Sequence, residues 1–322
     1  MYFNAVSVGY SVPHNDFNAT VHSVFQSAVN LQLENDGELL TVVSSGRADL
    51  PQGIRISTPK TFSFEEMHAG ELVACRGRIL RFESSELAID LRNARIWKCN
   101  LPSLIGDITN PLTATAWKKV WKVLGKRQQS MGGEFITKDL IFSYEMAQPG
   151  RLQKVDEAIH NLIESTQRFD LTNTTVIETL IGLGTGLTPS YDDFLVGYLA
   201  GLWSTAQGRR ERVHFLSELG DGVRQYSSRT NDISRTYLLH ATHGQVSSLL
   251  FSLAESICKG ENSVNLFYKA ETAMQVGHVS GMASVVGLLV GMSVWNGEQL
   301  LKETIETMDF LDNPVSANHY SE

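Results

Sequence analysis

The sequence predicts an α+β protein, with an N-terminal antiparallel β sandwich or small barrel followed by a C-terminal all-helical domain. Three observations carry this. Apolar residues alternate with period two up to about residue 99, the period lengthens to a helical one after Asn110-Pro111, and 42% of the 322 residues are apolar, enough for a large buried core. The expected divisions are a β-rich domain at 1–110, a connecting segment with an amphipathic helix at 111–150, and a helical domain at 151–322.

In the first part Val29, Leu31 and Leu33 alternate with polar residues up to Asn35-Asp36-Gly37, and Leu39 to Val43 resumes the apolar run, which is the pattern of a hairpin. Ile54 and Ile56 alternate briefly, Leu87, Ile89 and Leu91 do so again, and Leu72 to Phe82 carries β-favouring residues around Gly77. Six or more short strands fit this spacing. Trp117, Val120, Trp121 and Leu124 then fall on one helical face, with Lys118, Lys119, Lys122 and Lys126 opposite as a solvated face. Gly132-Gly133 and Gln148-Pro149-Gly150 mark loops. From Leu152 to Leu311 the pattern is helical nearly throughout, including Val155, Ile159, Leu162 and Ile163 on one face.

Several function classes fall away. A formal net charge of −8 leaves no extended basic surface for nucleic acid phosphates, so the expected partner is a small molecule or another protein. Cys75, Cys99 and Cys258 are widely spaced and form no CxxC pair, which points to a reducing, cytoplasmic compartment. The N-terminus does not have the pattern of a secretory signal. The apolar run Val279 to Trp295 is rich in Gly and Ser and is expected in the core, not in a membrane.

Three segments carry chemistry. The first is IGLGTGLTPSYDDFLVG, residues 181–197, where Gly182, Gly184, Thr185 and Gly186 precede a helix start with Thr188 as expected N-cap and Pro189 as first helical residue. Such a loop lets backbone N–H groups approach a phosphate or carboxylate, with Thr188 and Ser190 adding hydroxyls. It is neither a Walker sequence nor a dinucleotide fingerprint. Asp192 and Asp193 point about 100° apart on a helix, so one can face the loop and the other a neighbouring helix. They either complement the helix dipole or contact substrate or a cation.

In the second segment Asn231 or Asp232 caps a helix that places Ser234 and Arg235 in its first turn, near a bound anion. His240 and His243, three apart, have no carboxylate at ligand spacing and are expected to be structural. The third segment is Gly277-His278-Val279-Ser280-Gly281, followed by Gly287 and Gly291. Gly197 with Gly201, and Gly287 with Gly291, form two smooth stripes that can cross. A crossing would bring His278 and Ser280 to the aspartates, with His278 as acid, base or carbonyl-polarising residue, although a core histidine is the competing reading.

Together the segments resemble a bacterial family marked by the signature GLGxGLTPSGDDFLxG, one branch of which is the third subunit of oxamate carbamoyltransferase in allantoin degradation. The signature falls on Gly182, Gly184, Gly186, Leu187, Thr188, Pro189, Ser190, Asp192, Asp193, Phe194 and Gly197, and later motifs on Ser234, Gly244, Gly277, His278, Ser280 and Gly281. Tyr191 stands where the family usually has Gly, and Ala283-Ser284 where an acidic residue is common. The resemblance implies a transferase subunit with companion subunits, moving a carbamoyl group between oxalurate and phosphate to give oxamate and carbamoyl phosphate. Two other readings stay open: a stand-alone metal-assisted hydrolase or transferase using Asp192, Asp193 and His278, and a non-catalytic scaffold. No cofactor is fixed by the sequence, and a divalent metal stays open.

Overall fold

The computed structural model describes residues 1–130, 151–172, 174–184, 186–277 and 279–296. The expected loops at 132–133 and 148–150 lie outside these residues, as do Thr185 and His278. The chain divides into two compact units, one of residues 1–99 with 245–249, the other of 100–244 with the chain from 250 onward.

The first unit is a closed barrel. Its strands are β1 (Tyr2–Gly9), β2 (Phe17–Phe25), β3 (Ala28–Leu33), β4 (Leu39–Val43), β5 (Gly53–Ile56), β6 (Leu72–Arg76), β7 (Ile79–Phe82), β8 (Ala88–Asp90) and β9 (Arg95–Trp97). The order β5-β4-β3-β2-β6-β7-β8-β1 closes through a β1–β5 pairing, and β9 continues alongside β1. Of the two expected forms the barrel is found, because β1 is paired on both edges: Ala5 to Val8 meet β5, while Tyr2 to Asn4 meet β8 and Ser7 to Gly9 meet β9. Closure removes the exposed edge that a sandwich would leave. The pairings are antiparallel except β4–β5, β1–β8 and β1–β9, which are parallel. A parallel pair needs a longer connection, and residues 44–52 supply it between β4 and β5.

The alternating residues point inward as expected: Val29, Leu31, Ile54, Ile56, Leu80, Leu87 and Ile89 form the core with Phe64. The β3–β4 hairpin turns at Gly37, whose φ is +73°. Gly77 and Arg78 between β6 and β7 both have positive φ, +54° and +63°, the signature of a two-residue turn that matches strand twist.

The described helices, all in the second unit except the first two residues of α7, are α1 (Pro111–Ser130), α2 (Arg151–Arg168), α3 (Thr175–Leu180), α4 (Ser190–Thr205), α5 (Arg210–Tyr226), α6 (Asp232–Thr242), α7 (Ser248–Cys258), α8 (Val264–Met274) and α9 (Ser280–Ser293). Trp117, Val120, Trp121 and Leu124 of α1 are buried while Lys119, Lys122 and Lys126 are exposed. Trp117 Nε1 donates to the Leu289 carbonyl at 2.8 Å, holding α1 to α9. The Val279–Trp295 run forms α9 and is buried almost all round, as is α4. No described helix is long and apolar enough to cross a membrane.

Helices α4 and α9 are the axis of this unit. A Cβ at Gly197 would fall 1.9 Å from the Ser284 carbonyl oxygen, and one at Gly201 would fall 2.4 Å from that of Leu288. From the other side, a Cβ at Gly287 would fall 2.0 Å from the Phe194 carbonyl oxygen and one at Gly291 2.3 Å from that of Tyr198. The two glycine stripes therefore meet backbone to backbone. Contact positions rise together along both helices, so α4 and α9 run parallel and start at the same end.

Candidate functional site

The site is built where α4, α6 and α9 begin. Gly182, Gly184 and Gly186 have φ of +78°, +118° and +100°, a region that L side chains rarely adopt. Space also selects glycine here: a Cβ at Gly182 would lie 2.5 Å from the Arg229 carbonyl oxygen, and one at Gly184 would lie 2.5 Å from the Ser190 nitrogen. The loop is thus folded tightly against both the start of α4 and the residues preceding α6.

The expected cap is displaced by one residue. Helix α4 begins at Ser190, with Pro189 extended in the cap position and its carbonyl accepting from the Asp192 and Asp193 N–H groups at 3.0 and 3.2 Å. Thr188 is not the cap, because its hydroxyl is engaged elsewhere: Thr188 Oγ1 and Ser280 Oγ share a hydrogen bond of 2.7 Å. That bond ties the loop before α4 to the first residue of α9.

The two aspartates do different things. Asp192, 1% exposed, accepts from the Gly182 N–H at 2.7 Å through Oδ1 and from the Thr230 hydroxyl through Oδ2. It clamps the glycine loop to the segment leading into α6. Burial pushes its carboxyl above the usual carboxylate range, and the Gly182 N–H with the Thr230 and Ser234 hydroxyls offsets part of that. Asp193 is also buried, but its Oδ2 has no hydrogen-bond partner. Burial pushes this carboxyl up to about 7, the Asp192 charge adds to the rise, and the neighbouring Ser280 and Thr188 hydroxyls offset part of it.

Asn231 does two jobs. Its Oδ1 caps α6, accepting from Ile233 N and Ser234 N at 3.1 and 3.0 Å, while its Nδ2 donates to the Leu187 carbonyl at 2.9 Å. Ser234, in the first turn of α6, is buried, and its Oγ has no hydrogen-bond partner. Arg235 is half-buried and pairs with Asp232 at 3.1 Å.

Asp192, Asp193, Thr188, Ser280, Asn231 and Ser234 are thus brought together around Gly182 to Ser190, whereas no contact of Arg235 with the loop is described. Thr185 and His278 lie outside the described residues. His243 Nδ1 is within 3.0 Å of the Leu239 carbonyl and 3.1 Å of Thr242 Oγ1. Among the described residues no group of three or more His, Cys, Asp or Glu side chains could hold a metal ion.

Two site residues escaped sequence reasoning. Thr230 is the residue before the Asn231 cap, and nothing in sequence shows that its hydroxyl reaches back to Asp192. Tyr237 was legible in principle: three residues after Ser234, it lies on the same face of α6. Burial and the nearby Asp193 carboxylate push its hydroxyl up to about 12.

Comparison with known families covers both units. A family model described as oxamate carbamoyltransferase subunit AllH matches residues 180–292, and one described as the AllH family N-terminal domain matches residues 4–96. The chain belongs to the AllH family. The match at 180–292 contains every residue of the site from Gly182 through Gly281. The AllH family is named for a subunit, so a carbamoyltransferase-type subunit that works with companion chains is the class to which this protein belongs. No solved structure matches the chain.

Proposed function

We propose that this protein is a subunit of an oxamate carbamoyltransferase assembly, and that the loop 182–190 holds the small anionic substrate. The observation that carries the reading is the meeting of a positive-φ glycine loop with the N-terminal ends of three helices beside a buried, incompletely bonded carboxylate. Helix N-termini concentrate positive potential and N–H donors. Tyr191 N donates to the Leu183 carbonyl at 3.1 Å and the Asp192 and Asp193 N–H groups to Pro189, so these donors are spent inside the loop. An anion is then bound by the N–H groups of residues 184–187 and by the Thr188, Ser190 and Ser280 hydroxyls. In this reading the role of acid, base or carbonyl-polarising group belongs to His278, two residues before Ser280 in the sequence.

The reaction is carbamoyl transfer between oxalurate and phosphate, giving oxamate and carbamoyl phosphate, in allantoin breakdown. Three free cysteines support a reducing, cytoplasmic setting. The test is carbamoyl phosphate formation by this chain reconstituted with its companion subunits. Gly184→Ala forces a Cβ against Ser190 N at 2.5 Å and is expected to lower turnover by about 10²-fold, the scale of a 1 Å misplacement, while the assembly still forms. Full turnover by that variant would overturn the loop's role. An assembly that no longer forms would point to the scaffold reading.

A further inference from the structure

Helices α1 and α8 pack along each other. Arg127 Nη1 donates to Glu271 Oε2 at 3.0 Å, Lys119 Nζ donates to Asn262 Oδ1, and a Cβ at Gly260 would fall 2.6 Å from that of Leu112. On α8, Leu266, Ala270, Ala273 and Met274 turn inward, yet Val264, Phe267 and Tyr268 are 84%, 52% and 67% exposed. Spaced i, i+3 and i+4, these three form one stripe. Leu112, 65% exposed, stands against Gly260 in the turn that leads into α8. A single exposed apolar residue is ordinary, whereas a cluster with two aromatic rings marks a contact surface.

The same turn borders a row of cations. Leu112, Lys119, Lys122 and Lys126 lie on the exposed face of α1, and α1 contains no Asp or Glu. Like charges three or four residues apart on a helix repel, at about 0.2 to 0.5 kcal/mol per pair. The row therefore lowers the stability of the free chain, and an acidic surface laid against it would reverse that. A second copy in a two-fold contact would set lysine against lysine. An anionic bilayer would meet a chain of formal net charge −8, and the Trp117–Trp121 face of α1 is buried, leaving α1 no apolar face to insert. We propose that the exposed faces of α1 and α8 form the docking surface for a companion subunit, which offers an apolar socket to Phe267 and Tyr268 and an acidic rim to Lys119, Lys122 and Lys126. The inference rests on the reading of this chain as one subunit of an assembly, and adds where the partner sits and what chemistry it presents.

The probes are the companion subunits of the assembly, purified apart from this chain, with binding followed by interferometry and the mass of the complex by light scattering. Phe267→Asp combined with Tyr268→Asp is expected to weaken binding about thirtyfold or more, the scale of losing an interface hot spot. Lys122→Glu combined with Lys126→Glu should slow association and flatten its salt dependence, as rim charges do. Val213→Asp, at an exposed apolar position on α5, is the control and should bind like the wild type. Melting curves confirm that each variant is folded, and excess companion subunit should restore the turnover of both pairs. Unchanged affinity in both pairs would overturn the proposal. So would self-association of the wild-type chain that the Phe267 and Tyr268 changes abolish, or binding of the chain to phosphatidylserine vesicles that the lysine changes abolish. An assembly that forms and turns over normally with both pairs replaced removes the docking surface and leaves the proposed function standing. A wild-type chain that joins no companion subunit removes both.

Discussion

Asp192 and Asp193 are adjacent in sequence, yet the 100° between successive helical side chains sends one to the loop and the other toward α9 and Tyr237. Asp192 has two described partners, whereas Asp193 Oδ2 has none. A carboxyl whose folded-state pKa is raised favours folding below its unfolded pKa, near 3.8, and loses that contribution as pH rises through the folded value, about 7. Between these values the unfolded chain ionises freely while the folded one resists. Replacing Asp193 by Asn therefore removes a burden that exists only at higher pH. The expected outcome is that Asp193→Asn melts above the wild type at pH 8, by an amount on the order of a few kcal/mol, and close to it at pH 4. A variant that is less stable at pH 8 would instead show a dipole-complementing role, worth about 0.3 to 1 kcal/mol. Sequence reasoning reached both aspartates but could not divide the roles, because the division depends on Thr230 and Gly182, which are distant in the chain from one or the other.

At the scale of elements, the contact between α4 and α9 was legible because glycine inside a helix costs roughly 0.5 to 1 kcal/mol relative to alanine, so two spaced pairs need a return. The return is the close approach at Gly197, Gly201, Gly287 and Gly291. The start of α4 was legible only to within a residue, since Pro189 suits either the cap or the first helical position and the choice was made by Thr188 bonding Ser280. Gly197→Ala and Gly287→Ala place a methyl 1.9 and 2.0 Å from a carbonyl oxygen on the facing helix, so the helices must part. Each is expected to destabilise the chain by about 3 kcal/mol or more, beyond the usual overpacking range of 1 to 3 kcal/mol, and to separate Ser280 from Thr188. Gly208→Ala is the control: its φ is +65° with nothing within 4 Å of the new Cβ, so only backbone strain of about 1 kcal/mol remains. Denaturant midpoints of the three variants check the ranking, which fails if Gly208→Ala is the most damaging.

For the whole molecule, period alone separated a β-rich part from a helical one, since alternation and 3.6-residue spacing arise from local geometry. Barrel closure was not legible, because the β1–β5 pairing joins Ala5 to Ile56 and carries no local mark. Nor was the return of residues 245–249 to the barrel unit, where Ser248 N donates to the Asp49 carbonyl at 2.9 Å and Asp49 N to Ser248 Oγ at 3.0 Å. Asp49 is the junction of that unit, because its carboxylate also accepts from Ser7 on β1, Arg55 on β5 at 2.7 Å and Arg95 on β9 at 2.9 Å. Burial works against the charged form, but the Arg55 and Ser7 bonds and the two arginine charges outweigh it and hold the carboxyl below its usual value. A lowered folded-state pKa contributes stability that is present above the unfolded value, near 3.8, and is lost as pH falls through the folded one. Asp49→Asn should therefore cost about 1.5 to 3 kcal/mol at pH 7, the range for hydrogen bonds to a charged group, and the gap to wild type should narrow below pH 4. Trp97 is the one tryptophan among residues 1–99, so a chain in which the other four are replaced by Phe reports the barrel by fluorescence. An unchanged denaturant midpoint at pH 7, or a gap that widens in acid, would show that strand pairing alone holds β1, β5 and β9 together.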